Sequence, residues 1–255
     1  MIDACVDMSE QRAAPAARRA AFFILLVMAL IAFLALGSWQ VYRLRWKLSL
    51  IARTDARVHA PASAPPTLAK WPHINRQDDE YLHVALRGSY LAGHDTLVQA
   101  STDLGTGWWV LTPLRETDGS VVLVNRGFVP DAERTHYNAP APGEQTVTGL
   151  LRISEPHGRW PRTNDPVGGH WFSRDVAAIA QARGLVPIAA VAPYFVDADG
   201  PGLHATQWPA GGLTVVQFPN NHLSYLLTWY GMAALTLAGL RIVWRNDRAR
   251  ANAQR

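Results

Sequence analysis

The sequence holds a single cysteine, Cys5, and only two lysines, Lys47 and Lys70. One cysteine cannot form an intrachain disulfide, so a small disulfide-stapled fold is excluded. Only 17% of the residues are charged while 49% are hydrophobic, which argues against a disordered chain. The net charge of +4 comes almost wholly from arginines that lie beside apolar runs. That placement suits lipid headgroups better than nucleic acid, so we expect membrane lipid and no nucleic acid as a partner.

The motifs of the common enzyme classes are also absent. There is no Gly-x-Ser-x-Gly elbow, no Walker-type loop and no His-Glu-x-x-His pattern. His73, His83 and His94 are separated by ten and eleven residues, which is not a known metal-ligand spacing. We therefore predict that the protein is not an enzyme. A membrane-anchored hydrolase in particular lacks a nucleophile and its base.

Two long apolar windows dominate the hydropathy pattern. Ala20 to Leu36 is a run of 17 apolar residues, and Leu223 to Leu240 is almost as apolar. A helix needs about 20 such residues to cross a hydrocarbon layer of about 30 Å, so we predict transmembrane helices at 20–39 and 222–240. The first window could instead be a cleaved signal peptide with Arg18 and Arg19 as its charged region. Its length exceeds the roughly 15 residues usual for such a core, which favours a retained helix.

The arginines predict the orientation of both windows. Five of them follow the second window, whereas Gln217 to His222 in front of it has no fixed charge. Positive residues remain in the cytoplasm, and a large domain between two spans is translocated largely regardless of its charge. The predicted order is a cytoplasmic head (1–19), a first membrane helix (20–39), a periplasmic β-rich domain with a juxtamembrane helix (40–221), a second membrane helix (222–240) and a basic cytoplasmic tail (241–255).

The segment between the windows reads as short strands with one short helix. A helix continuing to Ile51 is followed by a proline-rich spacer, Pro61 to Pro66. Asp118-Gly119 predicts a tight hairpin turn, and Ser173 and Gly184 would cap and stop a helix at Arg174–Arg183. The strand-like runs are Tyr81–Leu86, Thr96–Ala100, Trp108–Leu114, Val121–Asn125, Thr146–Ile153, Tyr194–Val196 and Leu213–Phe218.

This pattern predicts the fold class of a membrane protein of α+β type. Two transmembrane helices at the chain ends would flank a β-rich antiparallel extracytoplasmic domain. The domain could be an open sheet, a sandwich or a partly open barrel.

One face of the second window is polar and aromatic. With Asn221 as the helix cap, steps of three and four residues lead from His222 to Tyr225, Trp229, Met232 and Thr236. Two interpretations stay open at this point. His222, Tyr225 and Trp229 could be interfacial anchors, or His222 could ligate a haem iron whose macrocycle lies against Tyr225 and Trp229.

Two other segments have structural explanations of their own. Trp39, Gln40 and Arg43 come just after the first window. By themselves they would be anchors at the membrane edge. Asn125-Arg126-Gly127 reads as a strand running into a turn, with Arg126 as an ion-pair or backbone partner.

The three segments together carry a family resemblance. Gly-x-Trp-Gln-x-x-Arg-x-x-Trp-Lys begins at Gly37, Val-Asn-Arg-Gly-x-Val-Pro begins at Val124, and Asn-His-Leu-x-Tyr-x-x-Thr-Trp begins at Asn221. In this order, from Gly37 to about Ala234, the chain resembles the surfeit locus protein one family of cytochrome c oxidase assembly factors. It departs from the family pattern at three positions, which are Phe128 in place of Trp, Leu226 in place of Ala and Tyr230 in place of Phe.

The resemblance implies a protein of the bacterial inner membrane that helps mature the catalytic subunit of a haem–copper oxidase. The cofactor it implies is haem a, bound transiently, and the family's histidine falls on His222. The implied partners are the oxidase catalytic subunit and the machinery of haem a synthesis. A chaperone that holds the subunit without binding haem would need the same architecture. The alternative from another class is a membrane-anchored extracytoplasmic ligand-binding or sensory module without haem.

Overall fold

The computed structural model describes residues 10–156, 162–185, 187, 190–214, 216 and 220–253. The chain divides into two compact units. The helical unit includes the chain up to Ala52 and again from Gln217, and the sheet unit is Arg53–Val216. Cys5, Arg255 and Pro219, which precedes the second predicted membrane helix, lie outside the described residues.

Two long helices form the helical unit. Helix α1 (Glu10–Val58) continues without a break past Ile51, so the predicted continuation of the first helix is present in the structure. The second long helix, α4, is His222–Ala253, and the two short helices α2 (Arg76–Asp79) and α3 (Val176–Ala182) belong to the sheet unit. Helices α1 and α4 are both long and apolar enough to cross a membrane, and most side chains of their apolar stretches are exposed. Apolar surface of this extent on a helix is typical of lipid contact.

The two long helices contact each other along one stripe. The rings of Phe33 and Trp229 stack with centroids 5.9 Å apart. Gly37 is buried against Tyr230, where a Cβ atom would lie 3.0 Å from the tyrosine ring. Ala233 is buried on the same stripe. Small residues at these positions let the two backbones approach closely, a feature that is also typical of helix pairs in membranes.

In the described part of Arg53–Val216, six strands form one sheet. Their order is β1-β5-β6-β4-β3-β2, and β1 also pairs with β3. This additional pairing joins the end strand β1 to β3 and gives a barrel-like sheet with β2 on its edge. The strands are β1 (His83–Tyr90), β2 (Thr96–Thr102), β3 (Gly105–Glu116), β4 (Val121–Pro130), β5 (Glu144–Ile153) and β6 (Val191–Ala198).

The predicted antiparallel domain is wrong at one ladder, because β4 and β6 pair in parallel. All the other ladders are antiparallel. Parallel neighbours need a long crossover, and the chain between β4 and β6 contains both β5 and the helix α3 (Val176–Ala182). The hairpin signals of the sequence concern consecutive strands, so they carry no information about this pairing.

Six of the seven predicted strands are confirmed, each within a few residues of its expected bounds. The turn at Asp118-Gly119 joins β3 to β4 as predicted. The seventh run, Leu213–Phe218, is wrong where the structure describes it, because Leu213, Thr214 and Val216 are not in a strand. Its remaining residues lie outside the described part of the chain.

Helix α3 is confirmed, but its cap is corrected. Asp175, not Ser173, caps the helix by accepting a hydrogen bond from the backbone N–H of Ala178. The hydroxyl of Ser173 instead donates to the backbone carbonyl of Glu155. Gly184 follows the helix with a φ of +66°, the left-handed conformation that ends helices, as predicted.

The core of the sheet unit has two layers because β4 and β6 are buried on both faces. Leu123 and Phe195 belong to one layer, together with α3 and Trp171. Their neighbours along the same strands, such as Val124 and Tyr194, belong to the other layer. This explains why the sequence from Val121 to Val124 is continuously apolar and does not alternate.

Candidate functional site

His222 is the first residue of α4 and directly precedes the apolar run that begins at Leu223. Asn221, the predicted cap, directly precedes the helix, and its backbone carbonyl accepts a hydrogen bond from the N–H of Tyr225 at 3.3 Å. The side chain of Asn220 accepts a further hydrogen bond from the backbone N–H of His222 at 3.4 Å. The imidazole is half-buried. An ionisable or metal-binding side chain at the end of a membrane helix is a functional candidate by default.

The imidazole of His222 is held by a residue of the other helix. Its Nδ1 lies 2.8 Å from Oε1 of Gln40, whose side chain is only 7% exposed. The two residues belong to α1 and α4, so the bond also joins the two apolar segments. Because Oε1 is an acceptor, the contact favours the neutral tautomer that carries its hydrogen on Nδ1 and has the lone pair on Nε2.

The predicted polar and aromatic face of α4 is divided by this packing. Trp229 is half-buried against Phe33, whereas Tyr225 is 55% exposed and Met232 is exposed. Thr236 bonds back to the carbonyl of Met232, within its own helix. The structure therefore brings His222 and Trp229 onto the side of α4 that packs on α1, but it does not bring Tyr225 there.

The predicted anchors at the end of the first window lie around Gln40. Trp39 is 53% exposed, and the guanidinium of Arg43 lies 4.7 Å from the ring centre of Trp46. A cation stacked on an indole is stabilising even at an exposed site. An aromatic–arginine pair with an exposed indole fits an interfacial position.

Arg126, in the sheet unit, occupies an irregularity of β4. The strand was predicted to turn here, but it continues to Pro130 and its register with β3 shifts opposite Trp109 and Leu111. Gly127 has a φ of +131°, and a Cβ atom there would lie 2.2 Å from the backbone of Ala210, so only glycine fits.

The guanidinium of Arg126 has a backbone partner and no carboxylate partner among the described residues. Its Nη2 donates to the carbonyl of Asn138 at 2.7 Å, and its charge lies 5.8 Å from the centre of the Tyr90 ring. Its Nη1 is buried with no partner in the described part of the chain. Burial lowers the pKa of Arg126, while Asp95 acts in the opposite direction. The sequence allowed either an ion pair or a backbone partner, and the described residues show the contact with the backbone; the role of Arg126 stays a prediction.

The residues described above lie within a region that is similar to known proteins. The SURF1 family model matches residues 27–234, which include Gln40, Arg126 and His222. Surfeit locus protein 1 of Mus musculus is 34% identical over 91% of this chain and 79% of its own length. The Homo sapiens protein of that name is 34% identical over 84% of this chain and 74% of its own length. A SURF1-like protein of Monosiga brevicollis is 35% identical over 80% of each chain. The chain belongs to the SURF1 family.

The SURF1 match begins inside α1 and ends inside α4, so it includes both sides of the Gln40–His222 pair and the whole sheet unit. The arginine-rich end of α4 lies beyond it. The family resemblance read from the three motifs is thus confirmed over most of the chain.

Sequence reasoning missed a polar cavity in the sheet unit of this SURF1 protein. Its volume is about 580 Å³, and Asp197, Arg152 and Arg174 line it beside Trp109. Asp197 is 5% exposed and accepts hydrogen bonds from both arginines, at 2.9 and 3.4 Å, and from Asn125 at 2.7 Å. Burial alone would lower the pKa of Arg152, but Asp197 raises it above its ordinary value. The only sequence signal was a carboxylate directly after the apolar run of β6.

Proposed function

We propose that this SURF1 protein is a cytochrome c oxidase assembly factor that holds haem a through His222 and assists its insertion into the catalytic subunit. Family membership supports the assembly role. The observation that carries the haem part is the orientation of His222. Its Nδ1 is engaged by the buried Gln40, which leaves the lone pair of Nε2 for a metal.

The available donors fit a haem iron and do not fit a bare metal ion. Among the described residues, no three His, Cys, Asp or Glu side chains lie close enough to hold a metal ion. A bare ion needs several protein ligands, whereas a porphyrin supplies four nitrogens and leaves only axial positions to the protein. His222 would provide one of these positions. When bound, haem a supplies the redox-active iron that the oxidase needs.

Exposed aromatic rings near the pair support a macrocycle as the ligand. Tyr225, one turn after His222, and Trp39, next to Gln40, are both more than half exposed. Rings of this kind offer flat apolar surface to a porphyrin. Trp229 has a smaller part than the sequence predicted, because its ring is already stacked on Phe33.

The proposal places α1 and α4 across the bacterial inner membrane, with both chain ends in the cytoplasm and residues 40–221 in the periplasm. The length and apolar character of the two helices support it. So does a second aromatic–arginine pair near the end of α4, where the guanidinium of Arg248 lies 3.9 Å from the ring of Trp244. The proposed partners are the oxidase catalytic subunit, the haem a synthesis machinery and membrane lipid.

A ligand-binding module without haem would place its ligand in the cavity of the sheet unit. The charged groups there are already paired with one another. Arg174 donates to Glu155 at 2.6 Å and to Asp197 at 3.4 Å. Nε of Arg152 has no hydrogen-bond partner in the described part of the chain, but it lies 3.5 Å from a carboxylate oxygen of Glu80, so this charge is paired too. A buried network of paired charges stabilises a fold and offers little to a ligand. The cavity therefore supports this alternative less than the helical pair supports haem binding.

The proposal is tested by deleting the gene in a strain that has oxidases both with and without haem a. The deletion should lower the haem a content and the oxidase activity of the membranes, and it should spare the oxidases without haem a. Complementation with His222→Ala should fail, and complementation with His204→Ala, which changes an exposed histidine of the sheet unit, should succeed. An unchanged haem a spectrum in the deletion strain would contradict the assembly role.

A further inference from the structure

We propose that Gln40 is a positioning residue for His222, which fixes the tautomer of the imidazole and keeps it a weak, exchangeable axial ligand. The haem part of this inference rests on the proposed function. The tautomer part concerns the chain alone and can be measured without haem.

The contact is specific because it joins a buried amide to one atom of the imidazole. Oε1 of Gln40 lies 2.8 Å from Nδ1 of His222, and the amide is almost fully buried. In the tautomer with hydrogen on Nε2, two lone pairs would face each other at that distance. The structure therefore favours hydrogen on Nδ1, which makes Nε2 the metal-binding atom.

The chemical type of the partner matters as much as its position. A histidine that ligates a metal commonly donates its other N–H to a carboxylate or a carbonyl, and a stronger acceptor makes it a more basic ligand. Gln40 is a neutral acceptor, so it orients the ring without adding negative charge. The resulting ligand stabilises ferric iron less than a carboxylate-supported histidine would. Such a ligand suits a protein that must release its haem.

A matched control is available on the same stripe of the helix pair. The hydroxyl of Ser38 lies 3.5 Å from the hydroxyl of Tyr230, so it also joins α1 to α4 and does not contact His222 in this structure. Ser38→Ala removes an interhelical contact and leaves the imidazole bond in place. An effect shared by Ser38→Ala and a Gln40 variant would come from helix packing alone.

The first measurement uses haem-free, full-length protein in detergent with ¹⁵N-labelled histidine, at a pH where the imidazole is neutral. His222→Ala identifies the resonances of residue 222. We expect hydrogen on Nδ1 in the wild type and in Ser38→Ala. Gln40→Leu should lose this preference and give a mixture of the two tautomers.

The second measurement titrates the same proteins with haemin and determines the reduction potential of the bound iron. Gln40→Leu should bind haemin about 10 to 100 times more weakly, the usual effect of losing a partner that orients a metal ligand. Gln40→Glu keeps the size and the acceptor but adds charge, so it should lower the reduction potential and slow haemin release. Ser38→Ala should match the wild type in both quantities. Gln40→Glu also keeps the test decisive if Gln40→Leu does not fold.

The outcomes separate the inference from the function on which it rests. An unchanged tautomer in Gln40→Leu, or an unchanged reduction potential in Gln40→Glu, overturns the role of Gln40 even if His222→Ala abolishes haemin binding. Wild-type haemin binding by His222→Ala overturns His222 as the ligand, and with it the haem part of this inference, whatever the tautomer is.

Discussion

Arg126 is half-buried at the point where β4 changes register, and its guanidinium contacts a backbone carbonyl and an aromatic ring. The carbonyl of Asn138 accepts one hydrogen bond and the ring of Tyr90 lies beside the charge. The next residue, Gly127, has a positive φ of +131°, a conformation that residues other than glycine rarely adopt. We therefore expect this arginine to secure the strand through its bond to the backbone, one of the two kinds of partner that the sequence allowed.

Arg126→Ala should lower the free energy of unfolding by about 1 to 2 kcal/mol, because it removes a hydrogen bond from a charged group in a half-buried site. Chemical denaturation of the full-length protein in detergent measures this. Arg115→Ala, which changes an exposed arginine of the neighbouring strand, is the control and should have little effect. If Arg126→Ala unfolds like the wild type but no longer supports oxidase assembly, Arg126 instead belongs to a site that binds a partner protein or the propionate groups of haem.

His83 joins the chain that follows α1 to the sheet and to the segment after β6. Its Nδ1 lies 2.7 Å from the carbonyl of Ala60 and its Nε2 lies 2.8 Å from a carboxylate oxygen of Asp199. Burial alone would lower the pKa of His83, but these two acceptors together raise it above its ordinary value of 6.5. Only the protonated imidazole donates to both at once.

The stability difference between wild type and His83→Ala should therefore depend on pH. A folded-state pKa above the unfolded value of 6.5 gives a contribution that is complete below that value and is lost as the pH rises through the folded pKa. Unfolding free energies measured at pH 5.5 and 8.5 should differ more between the two proteins at pH 5.5. Asp199→Asn should reduce this pH dependence. A difference that grows with pH would contradict the assignment.

At the scale of elements, local sequence patterns predicted the strands and helix ends, because short-range interactions determine these features. Alternation and turn residues located the strands, and Gly184 located the end of α3. Pairing between distant elements left no such trace. The parallel ladder of β4 and β6, and the bond from Gln40 to a histidine 182 residues away, depend on packing that single segments do not encode. The only sequence signal for the Gln40–His222 bond was that each residue lies at the edge of an apolar run.

The close contact of α1 and α4 at Gly37 makes a prediction about the helix pair. Gly37→Leu should separate the helices, because even a Cβ atom there would lie 3.0 Å from the ring of Tyr230. Cross-linking between cysteines introduced by Phe33→Cys and Trp229→Cys, in a chain with Cys5→Ser, should fall in yield. Gly239→Leu is the control, because a Cβ at that position of α4 meets nothing within 4 Å. Equal yields from the two leucine variants would contradict the packing.

At the scale of the whole molecule, the family match shows which regions of the chain are similar to the SURF1 family. It includes the sheet unit and the facing ends of both long helices, and it leaves out the arginine-rich end of α4. The sequence predicted this arrangement from three motifs and two apolar windows. It could not predict the polar cavity around Asp197, because the residues that form it come from separate strands and loops.

The proposed orientation in the membrane is tested by reporter fusions. A fusion after Arg255 should be active in the cytoplasm, and a reporter inserted near Pro142, an exposed position before β5, should be active in the periplasm. The arginines that follow the second apolar window are the physical reason, because positive residues remain in the cytoplasm. A cytoplasmic signal from the reporter near Pro142 would rule out the two-span arrangement.

The most direct test of haem binding at His222 is the absorption spectrum of full-length protein purified in mild detergent from cells that make haem a. The wild type and the exposed-histidine control His204→Ala should carry haem a in equal amounts. His222→Ala should fold and insert normally but should lose most of the bound haem, because it lacks the nitrogen that holds the iron. An equal haem a content and an unchanged spectrum in His222→Ala would contradict the account. A loss of haem a from His204→Ala would then point to His204, and His170 would otherwise be the next candidate.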